Sequence, residues 1–271
     1  MATYRELLAK HFGAEKYIIA CAHLIGLPGS PAYDLEGGMD KVIKQALRDT
    51  KILLDNGVHS IMFVNEADIP YYADLPIEGV AAFATVVNTV VNELNIKIPY
   101  GVNSIFDAKA GLAVAHATGA TFMRGNFSGV MAAHFGLFPN QGPDFYRLKK
   151  NLGRKQSDPP YQLCNIGNMA GYNLTGQDEV AMAKAMSHDT YAQPHAFAMA
   201  PDNLDKVKAV KDAVPDFPLV VAKGTNHDNV KQVMEVFDGT IMASCLHEDG
   251  KLFAQIDPER TERFMKIWRS M

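Results

Sequence analysis

PYGVNSIFDAKAGLAVAHATGATFMRGN, residues 99–126, reads as a strand, a helix and a second strand in direct succession. PYGVNS (99–104) and TFMRGN (121–126) have a β pattern. DAKAGLAVAHATG (107–119) is alanine-rich and stops at Gly119. Two polar residues interrupt the first half. Asn103 occupies a place where a buried strand favours hydrocarbon, and Asp107 follows just before the helix. The simplest reading of Asp107 is a helix N-cap. Asn103 has no comparable local explanation.

The same alternation runs outward in both directions. Strand candidates are YIIACAHL (17–24), SIMFVN (60–65), PYGVNS (99–104), TFMRGN (121–126), YQLCNIG (161–167), HAFAMA (195–200), PLVVAKG (218–224) and GTIMAS (239–244). Several are apolar almost throughout, as expected of a parallel sheet covered on both faces. A segment of helical period follows each. In residues 40–57, Val42, Ile43, Ala46, Leu47, Leu53 and Leu54 form a stripe that ends at Asn56-Gly57, and Asp257-Pro258 has the form of an N-cap with proline at the first helical position. Eight β-α units with right-handed crossovers close into a (β/α)8 TIM barrel. The rival doubly wound sheet usually carries a glycine-rich first turn, which is absent here. A helix over residues 3–12 precedes the first strand and is expected to cover the N-terminal face of the barrel. The chain, residues 1–271, is read as one domain, since it has no Pro-, Gly- or Ser-rich linker.

Composition narrows the function classes. The chain is 48% hydrophobic and 21% charged, with a net charge of −4, so nothing draws it toward nucleic acid. The basic residues are scattered. The nearest approach to a cluster is Arg147, Lys149, Lys150, Arg154 and Lys155, whose plainest reading is a solvated helix face. Cys21, Cys164 and Cys245 are too few and too separated for a disulfide framework, and buried thiols in a reducing cytoplasm are expected. The amphipathic N-terminus is not a signal peptide, and no run approaches the roughly 20 apolar residues of a membrane span. Dinucleotide, P-loop, H-E-x-x-H, C-x-x-C and G-x-S-x-G signatures are all missing.

In a TIM barrel the chemistry sits at the C-terminal ends of the strands. The polar residues there are His23, Asn65, Glu66, Asp68, Asn103, Arg124, Asn126, Asn165, Lys223, Gly224 and Ser244. Phe122, Arg124 and Asn126 share one face of their strand, as do Leu163 and Asn165. A buried arginine needs a partner, and Asn103 on the neighbouring strand is the expected one. Each residue also has a plain structural reading. His23 fits a hydrogen-bonded core histidine as well as an acid–base group. Asp68 opens a turn before Pro70 as well as serving as a base. Lys223 reads as a solvated lysine, an anion ligand or a Schiff-base former.

Four segments, HLIGLPGSPAYD (23–34), D-x-P-Y (68–71), residues 99–126 and DGTIMASCLHEDGKLFAQIDPERTERF (238–264), resemble the BtpA/SgcQ family over nearly the whole chain. The resemblance implies a ribulose-phosphate-binding-type barrel. It also implies one of two roles: photosystem I assembly or stability in one branch, or sugar metabolism, as a nucleosidase or sugar-phosphate enzyme, in the other. Matching family positions are His23, Pro28, Gly29, Ser30, Asn65, Asp68, Pro70, Asn103, Asp107, Arg124, Asn126 and Gly224. Departures fall at Val64 for a family Glu, Asn165 for an Asp, Ala200-Pro201-Asp202 for a Ser-Gly loop, Lys223 for a small residue, and Ala243-Ser244-Cys245 for Gly-Thr-Ser.

Two functions follow as expectations. The first is an enzyme acting on a sugar phosphate, nucleoside or similar small polar metabolite, as a lyase, isomerase or hydrolase. His23, Asp68 and Lys223 are its catalytic candidates. Asn65, Asn103, Arg124, Asn126, Asn165, Gly224 and Ser244 would bind substrate. The second is a non-catalytic assembly factor for a membrane complex. No cofactor is expected; a divalent metal is an open alternative without sequence support, because amide oxygens and Asp68 would make only a weak cage. A homo-oligomer is expected, as is common for barrels of this size.

Overall fold

The structure, a computed structural model, describes residues 3–169, 171–189, 191–200 and 204–271. Eight parallel strands close on one another: β1 (Tyr17–His23), β2 (Ser60–Val64), β3 (Tyr100–Asn103), β4 (Phe122–Gly125), β7 (Tyr161–Asn165), β9 (Ala196–Met199), β10 (Leu219–Val221) and β11 (Gly239–Met242), which pairs back onto β1. All eight fall on the strands expected from sequence. The helices are α1 (Tyr4–Phe12), α2 (Gly38–Asp55), α3 (Ile77–Glu93), α4 (Ala108–Thr118), α5 (Gly142–Asn151), α6 (Glu179–Ser187), α7 (Leu204–Ala213), α8 (Val230–Val236) and α9 (Pro258–Arg269).

Strand alternation divides the core in two. Ile18, Ala20 and Ala22 of β1 join the cluster between barrel and helices, whereas Tyr17, Ile19 and Cys21 face the barrel interior with Met62, Val64, Phe122, Leu163 and Ile241. At the bottom of the barrel two aromatic rings lie opposite glycines. A Cβ on Gly101 would meet the Phe122 ring at 2.4 Å, and one on Gly239 would meet the Tyr17 ring at 2.3 Å. Large and small residues thus alternate to fill the taper. Helix α1 plugs this end, as expected. Its Leu8 and Phe12 join the interior cluster, and Phe12 stacks on Tyr17 at 4.3 Å. Burying each is worth about 2–3 kcal/mol. Thr3 and Glu6 form a capping box at the start of α1, and Gly13 ends it at φ 72°.

The expected caps are present. Asp107 accepts from Ala110 N at the start of α4, and Asp257 accepts from Glu259 N and Arg260 N at the start of α9. One element has no counterpart in the sequence reading. After β4 the chain forms a hairpin of β5 (Val130–Ala133) and β6 (Gly136–Pro139), and β8 (Tyr172–Asn173) adds to it as a third antiparallel strand. These strands are short, and the hairpin turns at His134-Phe135 without an Asn-Gly or Asp-Gly signal. The small sheet sits against the barrel mouth, where Phe138 stacks on Phe106 with centroids 3.7 Å apart.

Candidate active site

The C-terminal ends of the strands enclose a cavity of about 450 Å³. The strand that enters first, β1, delivers Cys21 and His23 on its inward face. Strand β2 has the same parity: Met62 and Val64 face inward, and Glu66, two residues on, emerges into the cavity. Strands β3, β4 and β7 supply Asn103, Arg124, Asn126 and Asn165. The loop after β10 supplies Lys223, Gly224 and Thr225, and the turn after β11 supplies Ser244 and Cys245.

Arg124 lies at the floor. Its Nε donates to Asn165 Oδ1 at 2.8 Å, and Asn165 Nδ2 donates onward to Asn126 Oδ1 at 3.0 Å. The expected partner Asn103 is not the one used. Pairing of β3 with β4 sets Val102 opposite Met123, so Asn103 stands level with Arg124. The guanidinium nevertheless leans the other way, onto β7, and the Asn103 side chain is left facing the cavity with no hydrogen bond among the described residues. No carboxylate among the described residues lies within 4.0 Å of Arg124. Burial disfavours its charge, and Glu66 offsets part of that. An arginine remains charged nonetheless, so the floor presents a cation without a direct ion-pair partner toward the cavity.

His23 Nε2 and Glu66 Oε2 are 3.8 Å apart. Burial pushes the His23 imidazole down to about 3, helped by His247, so it is neutral near pH 7. Burial raises the Glu66 carboxyl, against Arg124 and the Tyr71 hydroxyl, which lower it. Tyr71 Oη donates to the Glu66 backbone oxygen at 2.9 Å and approaches Oε1 at 3.4 Å. A buried carboxyl beside a neutral imidazole is a workable acid–base pair. The thiols are not: burial pushes Cys21 and Cys245 up to about 12, leaving both protonated.

Asn65 and Asp68 do not line the cavity. Asn65 Oδ1 accepts from Ile105 N at 2.9 Å and its Nδ2 donates to Asp68 Oδ2 at 3.1 Å, while Asp68 Oδ1 accepts from Leu27 N at 2.8 Å. The pair pins the loops after β1, β2 and β3 together beneath the wall. The family Glu missing at Val64 is matched in kind by Glu66, which the sequence reading noted but set behind Asp68. Period-two alternation from Met62 through Val64 was the signal for it. Of the departures, Pro201 and Asp202 lie outside the described residues. Lys223 is exposed at the rim and makes no ion pair among the described residues. Behind it, Gly224 has φ 89°, and the buried Thr225 hydroxyl has no partner. Phe106, also at the rim, holds φ 63°, a strained conformation for a bulky residue, under the Phe138 stack.

A cluster of orphaned polar atoms continues behind His23. Buried His23 Nδ1, His247 Nε2 and Gln45 Oε1 lack hydrogen-bond partners, Asp49 Oδ1 has only Arg48 Nη2 at 3.5 Å, and the His23 and His247 rings are 5.4 Å apart. Gln45 Nε2 ties the group together by donating to His23 O and to Asp49 Oδ2. Among the described residues no three His, Cys, Asp or Glu side chains are grouped so as to hold a metal ion, and no helix is long and apolar enough to cross a membrane.

Comparison with known proteins places this architecture. The BtpA family model matches residues 14–270. The chain is 32% identical to the putative sgc region protein SgcQ of Escherichia coli K12, over 96% of each chain. It is 26% identical to the photosystem I biogenesis protein BtpA of Synechocystis, covering 96% of this chain and 90% of that one. Among solved structures it resembles tryptophan synthase from M. tuberculosis with a TM-score of 0.61 at 11% identity, covering 98% of this chain and 99% of that one. At that identity the likeness is one of fold.

Proposed function

The chain belongs to the BtpA family, and from that premise we propose that it is an enzyme carrying out proton transfer on a small phosphorylated sugar or a similar anionic metabolite. The observation that carries this reading is Arg124, free of any direct ion pair among the described residues, at the cavity floor with the Glu66–His23 pair. Glu66 serves as the base, because its raised carboxyl is closer to the working range of a proton acceptor. Neutral His23 completes the pair and can donate from one ring nitrogen while accepting at the other. Arg124 faces the oxygen that gains negative charge, where a fixed cation in a water-poor site is most effective. Asn103 and Asn126 orient hydroxyl groups. Lys223, Gly224 and Thr225 after β10 and Ser244 after the adjacent β11 line one side of the mouth and hold the phosphate. An isomerase or a lyase fits this set better than a hydrolase, since one acid–base pair and an oxyanion ligand suffice.

The test is a thermal-shift screen of sugar phosphates alongside their unphosphorylated parents. A phosphorylated member should raise the melting temperature, Arg124→Met should remove the shift, and Glu66→Gln should keep binding while abolishing turnover. A screen with no shift, or a shift retained in Arg124→Met, would overturn the proposal.

One observation favours a second reading, a docking role like that in the name of the Synechocystis relative. Leu137 and Tyr172 are 66% and 67% exposed and flank Ala132 in one row across the small sheet. If that row docks a protein partner, Leu137→Glu with Tyr172→Glu releases the partner in a pull-down and leaves ligand binding at the barrel intact. Unchanged capture would count against it.

A further inference from the structure

A second cavity, of about 960 Å³, lies on the outer wall of the barrel between α5, the loop that follows it, and the end of α6. It shares no lining residue with the cavity at the strand ends. Arg147, Lys149, Lys150, Arg154 and Lys155 all border it, with Asp189 as the only carboxylate among its lining residues. These are the residues whose plainest sequence reading is a solvated helix face, and the structure departs from that reading at its centre. Lys149 is 2% exposed. Its Nζ donates to Gln156 O at 3.0 Å, which satisfies one of three N–H groups.

No direct ion pair neutralises this charge, although Asp158 favours it from further away. None of the five cations has a carboxylate partner within 4.0 Å among the described residues, although ion pairs of that kind occur at Lys41, Lys51, Lys109 and Lys266. The concentration of unpaired positive charge stands out in a chain whose net charge is −4. Burial pushes the Lys149 ammonium down to about 8, and the nearby Asp158, which raises it, offsets only part of that. The buried Tyr146 hydroxyl on the same wall also has no partner. Leaving both groups in place carries a stability cost that a bound anion would remove. Part of the wall is apolar: Met186 and Ala192 line it, and the Tyr191 ring is 84% exposed at its edge, while Ser128, Asn140 and Gln156 supply uncharged polar groups. A symmetric contact with a second copy of the chain would set like charges against each other, which disfavours that occupant.

We propose that this cleft is a binding site for a nucleoside di- or triphosphate. The phosphates lie among Lys149, Lys150 and Arg154, with the Tyr146 hydroxyl donating to a phosphate oxygen. The base lies against Tyr191 and Met186. Charge-assisted contacts to phosphate supply the affinity, and the apolar wall selects against inorganic anions.

Calorimetry and thermal shift on the intact protein, with ADP, ATP, pyrophosphate and adenosine as probes, test this. ADP and ATP should bind and stabilise, pyrophosphate more weakly, and adenosine not measurably at about 1 mM. Binding should weaken with salt. Lys150→Glu combined with Arg154→Glu alters exposed side chains only and should leave the fold intact. It should weaken ADP binding by at least about tenfold, since each charge-assisted contact is worth roughly that much. Arg124→Met, at the barrel mouth, should leave ADP binding unchanged, so this site and the proposed active site fail or stand separately. Absence of any shift with ADP or ATP would overturn the proposal. So would a shift that survives the double charge reversal, or one lost in Arg124→Met, which would put the nucleotide at the strand ends.

Discussion

Replacing Arg124 by methionine should abolish ligand binding at the barrel mouth without destabilising the protein. Two opposing effects set the magnitude. The change removes one hydrogen bond from a charged donor, Nε to Asn165 Oδ1 at 2.8 Å, worth about 1.5–3 kcal/mol. It also removes a partly buried cation with no carboxylate within 4.0 Å among the described residues, although Glu66 favours its charge from further away, and the desolvation of such an ion offsets much of that loss. Asn165 Oδ1 and Asn103 face the cavity, where water can take the place of the guanidinium. The net expectation is a variant between unchanged and about 2 kcal/mol more stable. The assay is urea denaturation of both proteins at pH 7, read by fluorescence and far-ultraviolet circular dichroism, with the slope compared to exclude a changed unfolded state. An arginine held in a structural ion pair behaves oppositely, losing about 3–5 kcal/mol on truncation. A loss of that size would refute the reasoning, because Arg124 would then be a structural residue whose partner had been overlooked.

Three further outcomes follow from the same geometry. The His23 and His195 imidazoles, each pushed down to about 3 by burial, should remain neutral at pH 5 by nitrogen-detected NMR. Unfolded histidine titrates near 6.5, so below that pH the unfolded chain takes up protons that the folded one refuses. The stability each contributes is complete above about 6.5 and falls with pH by up to about 1.4 kcal/mol per unit toward the folded value; an imidazolium signal at pH 6 would contradict it. Asp107→Ala removes the α4 cap and the acceptor for Leu75 N, and should cost about 2–3 kcal/mol in urea denaturation while leaving ligand binding intact. A high-resolution crystal structure should show ordered water at His23 Nδ1 and His247 Nε2, because orphaned buried atoms of this kind seldom remain dry; two unhydrated atoms would be the contrary result.

Much of the architecture was legible in the chain itself. The run from Pro99 to Asn126 specifies strand, capped helix and strand through local chemistry: apolar alternation, Asp107 against Ala110 N, and Gly119 at φ 77°. Repeated eight times, such units leave a barrel as the natural closure, and α1 beneath it follows from its apolar Leu8 and Phe12. Strand parity also set Arg124 with Asn126 on one face and Asn165 with Leu163 on another, and position at the end of β1 marked His23. What sequence could not decide was how a side chain chooses between partners on the two neighbouring strands. Asn103 and Asn165 both flank Arg124, and only the packing of β7 against β4 shows that Asn165 takes its Nε. Asp68 and Glu66 share one parity, yet the chain turns between them, so one carboxylate fastens loops and the other enters the cavity. The small sheet over the mouth joins residues 130–139 to 172–173 across intervening β7, and its short strands carry too little periodic signal to be read alone. The basic residues around Lys149 look like a solvated helix face in one dimension, because burial depends on the loop and α6 folding over them. Local free energies of capping and alternation are encoded residue by residue, and they determined the fold. Hydrogen-bond partners and burial depend on distances between residues far apart in the chain, and those only the closed barrel decided.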